Sequence, residues 1–224
     1  MPPTGEAARP ILEDDSETLV EWVQSRGREI AFAALAIVAV AIGFWLYVHF
    51  GQSKAARAEA LLAQAEMSLS GQRLPEAQTQ LERLVANFEG TPAAGQGLLR
   101  LAQALFEQGK FQEGVTKLEG AFGEYDEGPL GVSVRQLAAA GYEQLGRPAD
   151  AAARYAEAAQ KSQLTNEKDG LNARAARAWA DAGNKAEAIR LWKTLVDKPG
   201  SPLANEARIR IGELSSVPAA ATAG

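Results

Sequence analysis

From residue 71 onward the chain repeats itself every 37 residues, and that period leaves few folds open. Gly109-Lys-Phe-Gln-Glu-Gly-Val, Gly146-Arg-Pro-Ala-Asp-Ala-Ala and Gly183-Asn-Lys-Ala-Glu-Ala-Ile begin 37 residues apart. The small residues Ala77, Gly114, Ala151 and Ala188 keep the same spacing. So do Leu81, Leu118, Tyr155 and Trp192, and after them Leu84, Ala121, Ala158 and Leu195. Steps of four and three residues return to one face of a helix. A small residue is needed where two helices of a hairpin cross closely, and the large one a turn later fills the groove against the next hairpin. Each glycine supplies the positive φ at which a helix ends. A single hairpin cannot bury its apolar face, so neighbours must stack. The prediction is an all-α solenoid with helix pairs near 53–70 and 74–88, 94–108 and 111–124, 131–145 and 148–163, and 170–182 and 185–197. A capping helix, Leu203 to Leu214, follows as a half-repeat. Glu213 lies 37 residues after Ala176 and puts a polar side chain where nothing further stacks. The first repeat, Gly71 to Gly109, counts 38 residues, and the extra one is assigned to the turn at Gln72 to Pro75.

The second constraint is Ile30 to Phe50, 21 residues without Lys, Arg, Asp or Glu. As a helix it reaches roughly 30 Å, the thickness of a bilayer's hydrocarbon core. Apolar side chains cover every face, which argues against a core helix with one polar stripe. A secretory signal has a basic start and an apolar core of about 7–15 residues. Here 29 residues of net acidic charge come first, with Arg9, Arg26 and Arg28 against seven acids. The run is therefore read as a retained transmembrane helix, with Trp45, Tyr47 and Phe50 at one interface. Flanking charges orient it weakly, since Arg26 and Arg28 on one side face Lys54 and Arg57 on the other; the nearer N-side pair favours a cytoplasmic N-terminus. The expected order is a disordered acidic cytoplasmic tail over 1–15 and a short amphipathic cytoplasmic helix over 16–29. The transmembrane helix over 30–50, the solenoid over 51–214 and a flexible end over 215–224 follow.

Little in the chain is suited to catalysis. It has one histidine, His49, at the end of the apolar run, and no cysteine. Thiol and His-based nucleophile constellations are excluded, as are disulfides and cysteine-ligated metals. No glycine-rich phosphate loop occurs. After the run there are 20 basic and 21 acidic residues, no charge excess for nucleic acid. Asp126-Glu127 reads as a solvated turn, with too few oxygens for calcium. Trp179 and Trp192 fall at packing positions. No catalytic residue, metal site or cofactor is expected.

The turn-and-helix pattern resembles the tetratricopeptide repeat. Gly109, Phe111, Gly114, Leu118 and Ala121 carry the likeness, as do Gly146, Ala151, Tyr155 and Ala158, and Gly183, Ala188, Trp192 and Leu195. The family norm is about 34 residues. The excess here sits in the loops Glu89-Gly-Thr-Pro-Ala, Glu127-Gly-Pro-Leu-Gly and Lys198-Pro-Gly-Ser-Pro. The resemblance implies that the first helix of each hairpin lines a concave binding face. By position that face takes Leu99, Gln103 and Phe106, then Gln136, Ala140 and Glu143, then Arg177, Ala180 and Asp181. Mixed apolar and polar, without a basic clamp, it suits an extended or partly folded polypeptide. Leu99, Phe106 and Arg177 are expected to carry most of the binding energy.

The whole layout is similar to the YfgM family of bacterial inner-membrane proteins. Trp22, Arg26 and Arg28, the apolar run, and Gln52 to Ala65 leading into the first repeat carry that likeness, over Asp15 to Leu214. It implies a single-pass protein of the bacterial inner membrane with a periplasmic repeat domain. Its implied partners are Sec translocon subunits, a periplasmic prolyl isomerase-like chaperone and unfolded clients. The expected function is that of a membrane-anchored adaptor. A scaffold for another envelope complex, in division or polysaccharide assembly, is the alternative.

Overall fold

The computed structural model describes residues 27–216, all of whose regular structure is helical. The helices are α1 (Gly27–Ser70), α2 (Leu74–Asn87), α3 (Pro92–Glu107), α4 (Phe111–Gly120), α5 (Gly128–Gln144), α6 (Pro148–Lys161), α7 (Thr165–Asp181), α8 (Lys185–Val196) and α9 (Ala204–Ser215). The expected tail over 1–15, most of the helix over 16–29 and the end after Ser216 lie outside the described residues, as do the side chains of Tyr47, His49 and Phe50. The chain divides into two compact units, Met1–Ser53 and Lys54–Gly224.

In the first unit the described chain is the N-terminal part of α1. Phe32, Leu35, Ile37, Val38, Val40, Ile42, Phe44 and Trp45 are each more than half exposed. Among the described residues no helix is long and apolar enough to cross a membrane. The longest stretch of the run with described side chains is 35–45.

In the second unit the helices pair as the period requires. Each hairpin turn closes in one way. Gly109 N–H donates to the Phe106 carbonyl and Lys110 N–H to that of Leu105, both at 2.9 Å. The same pair of bonds recurs at Gly146 and Arg147 and at Gly183 and Asn184. The three glycines have φ of 75°, 67° and 79°. In the first hairpin the bonds come from Gln72 and Arg73, and Gln72 holds φ 58°. Gln72, not Gly71, is therefore the counterpart of Gly109, 37 residues before it. The first turn has no extra residue; a non-glycine side chain simply accepts the left-handed conformation, at about 1–2 kcal/mol.

The recurrent positions form the core. Ala77, Ala151 and Ala188 are fully buried, with Leu81, Leu118, Tyr155 and Trp192 beside them. At the fourth of these small positions glycine is required by a neighbour. A Cβ on Gly114 would lie 2.5 Å from Cε1 of Phe106, and one on Gly141 2.6 Å from its Cζ. The Phe106 ring wedges between α4 and α5 and lies 5.6 Å from that of Phe111. At the array's far end Glu213 is exposed and pairs with Arg210, while Ala176, one repeat earlier, is buried. Helix ends shift where loops intervene. α4 stops at Gly120 because Ala121 and Phe122 N–H turn to i−3 carbonyls. α5 starts three residues early, with Pro129 in its first turn, and α7 starts at Thr165, after Ser162 accepts from the Leu164 N–H at 3.2 Å.

Candidate functional site

Side chains of the first helices converge on a groove of about 270 Å³. Leu99 and Gln103 come from α3, and Ser133, Gln136, Leu137 and Ala140 from α5, while Arg174 reaches in from α7. A spacing of four puts Gln136 and Ala140, and Leu99 and Gln103, on one face of each helix. The lining alternates apolar surface with amide and hydroxyl groups. Such a lining can bury apolar side chains of an extended chain and hydrogen-bond its backbone. Arg174 is the single cation of the groove, and its guanidinium lies 5.8 Å from the Tyr155 ring centroid.

Four of the nine residues proposed from sequence meet there. Ser133, Leu137 and Arg174 were missed, though α5's own periodicity places Ser133 and Leu137 one turn from Gln136 and Ala140. Arg174 is 37 residues after Leu137, and that spacing could have found it. Arg177, Ala180 and Asp181 line a separate depression of about 200 Å³ with Trp192, Arg210 and Leu214. Arg177 there bonds Glu206 at 2.6 Å and lies over the Trp192 ring at 5.6 Å. Phe106 is the packing wedge described above. Glu143 accepts the Tyr155 hydroxyl at 3.2 Å, and burial together with that carboxylate pushes the phenol up to about 12. Trp192 is buried and Trp179 packs against two core clusters, as their positions suggested.

The face built by the second helices carries charge instead. Between α4 and α6 the buried Arg135 donates to Asp126 at 2.7 Å and to the carbonyls of Tyr125 and Gly131 at 3.3 and 3.2 Å. Lys161 donates to Asp126 at 2.6 Å and to Glu127 at 3.0 Å. Arg154 donates to Glu119 at 3.0 Å and to Glu157 at 2.6 Å. Both guanidinium groups sit over Phe122, at 4.8 and 5.3 Å from its centroid. The Asp126-Glu127 turn is thus the acceptor end of an ion-pair cluster joining two hairpins. The Lys161 ammonium beside Asp126 holds its carboxyl below the usual range, and Asp126 and Glu127 push Lys161 up. Among the described residues no group of three or more His, Cys, Asp or Glu is arranged to hold a metal ion.

Stacked helical hairpins with a grooved face of mixed polarity define a repeat solenoid, a fold that typically serves as a protein-binding scaffold. The tetratricopeptide repeat-like domain model matches residues 21–144, and the chain belongs to that family. Among solved structures it is similar to nearly identical TPR-like repeats from Podosopora anserina, at 20% identity and TM-score 0.54 over 71% of this chain and 86% of that one. It is also similar to a tetratricopeptide repeat protein from Parabacteroides merdae, at 16% identity and TM-score 0.55 over 70% of this chain and 59% of that one. No curated protein matches the chain.

Proposed function

We propose that this protein is a single-span membrane adaptor of the YfgM type that holds polypeptides in the groove of its first helices. The observation that carries the reading is the convergence of Leu99, Gln103, Gln136 and Ala140 on one open groove. Nothing in that lining is placed for bond-breaking chemistry. Two observations support an anchor at 30–50. The run is uncharged, and its described apolar side chains are exposed all round the helix. The family match also begins at residue 21, so it takes in the run along with the hairpins. In this reading the N-terminus is cytoplasmic and the solenoid periplasmic, beside the Sec translocon and a prolyl isomerase-like chaperone. The anchor raises the groove's local concentration next to those partners.

Photo-crosslinkers at Gln103 and Gln136 of the full chain in membranes test the groove. Translocon subunits or secreted clients should be captured, and Ala140→Arg should abolish capture. Equal capture by the Ala140→Arg chain would overturn the site. A reporter active only in the cytoplasm, fused after Gly224, should stay silent; its activity would overturn the placement.

A further inference from the structure

The face of the second helices holds a groove that the sequence did not announce. It lies between α2 and α4 over α3, encloses about 330 Å³, and is the larger of the grooves described. Val85, Ala86 and Ala121 give it an apolar floor above the buried Leu98 and Leu101, and Glu82, Glu89 and Glu124 rim it beside the Lys117 ammonium. One repeat later the same positions bear the ion-pair cluster. Val85 corresponds to Phe122, Leu98 to Arg135, Lys117 to Arg154 and Glu124 to Lys161, each 37 residues on. Glu82 and Glu89 correspond to the acceptors Glu119 and Asp126. In the later junction carboxylates are therefore answered by Arg135, Arg154 and Lys161, the two guanidinium groups lying on the Phe122 ring. In the earlier one the carboxylates remain, while two of those three cations are replaced by Leu98 and Glu124. The apolar floor stays open.

We infer that the α2/α4 groove docks a basic segment of a partner polypeptide, whose Arg or Lys side chains take the places that Arg135 and Lys161 fill one repeat later. The methylene stems lie on Val85 and Ala86, and the charged heads meet Glu82, Glu89 and Glu124. Glu124 already accepts from the Gly90 N–H, and Lys54 is held at the rim by the Glu89 carbonyl at 2.7 Å. A carboxylate offers about four lone-pair sites, so Glu124 keeps capacity for an incoming donor. By charge, the chain's own terminal stretches are poor candidates. Residues 1–26 carry more acids than bases, and residues 217–224 carry no charge. The cations equivalent to Arg135 and Lys161 are left to a partner. This surface is separate from the groove of the first helices and does not depend on it.

The full chain in detergent micelles is titrated into a fluorescein-labelled octapeptide alternating arginine and leucine, and into the same peptide with citrulline for arginine. Fluorescence anisotropy reads binding. The arginine peptide should bind about tenfold more tightly than the citrulline peptide. Glu82→Gln with Glu89→Gln should erase that difference. Gly120→Trp should block both peptides, since Gly120 lines the groove and a Cβ there meets no atom within 4 Å, so the indole is tolerated at the groove's edge. Equal affinities for the two peptides, no binding, or full binding by the charge-neutralised chain would overturn the inference. So would loss of binding on Ala140→Arg alone, which would assign the peptide to the first-helix groove.

Discussion

Glu82, Val85, Leu98, Lys117 and Glu124 line one junction between second helices; Glu119, Phe122, Arg135, Arg154 and Lys161 line the next, each one repeat further along. The backbone at the two junctions follows one plan, yet one is open and the other is filled. In the later junction a buried guanidinium ties the 121–127 turn to α5, and its neighbours bind α6 across the gap. In the earlier one a leucine replaces that guanidinium, and Glu82 and Glu124 accept from neutral donors, the Gln78 amide and the Gly90 N–H. The difference teaches that a helical repeat specifies stacking through a few small and large apolar residues. The remaining positions are free to become either glue or surface.

The largest test removes the glue. Arg135→Leu, which copies the earlier junction, strips donors from Asp126 and from two carbonyls; the chain should lose about 3 kcal/mol in urea unfolding. An unchanged midpoint would mean the cluster is ornament. Next, Gly141→Ala forces a methyl against Phe106 and Val115 and should cost about 1–3 kcal/mol, with Phe106→Leu recovering part of the loss. If Phe106→Leu makes matters worse, the wedge is not what excludes the methyl.

A third test uses pH. Asp126 has a depressed pKa, so its contribution is full above the ordinary carboxylate range and fades as pH falls through the lowered value. Lys161 is raised, so its contribution is full below about pH 10 and fades above it. The melting-temperature gap between the native chain and Lys161→Met should be widest near neutrality and begin to narrow only below about pH 4 and above about pH 10.5. A gap independent of pH would show that Lys161 acts by packing alone. The smallest effect belongs to the open junction. Glu82→Gln and Glu89→Gln should each change stability by less than about 0.5 kcal/mol, as thermal unfolding would read. A larger loss would give those acids a structural duty and erase the contrast.

Much of this was legible in order along the chain. Ala77, Leu81 and their equivalents are buried where the period put them, and the hairpin turns fall at Gly109, Gly146 and Gly183. The turn at Gln72 is hidden in the sequence because its left-handed residue is not a glycine, and the bond pattern, not the residue type, defines the turn. The groove was half legible. Leu99, Gln103, Gln136 and Ala140 converge, but Phe106 points into the hairpin junction and Arg177 joins a different depression with α9. Helical register says which face a residue shares; it does not say whether a neighbouring ring will turn inward.

By itself the sequence determined the helical period, the positions that must be small or large, and an uncharged 21-residue run. These rest on local geometry, where spacing along one helix decides burial. Only the tertiary structure decided which charges meet. Asp126 finds Lys161 across 35 residues and Asp169 finds Lys198 across 29 because stacking brings the end of each second helix against a preceding loop or helix. The same packing made Arg135 a buried tie and left Glu82 at the rim of a cavity, since a charge's role depends on the partners the fold delivers to it.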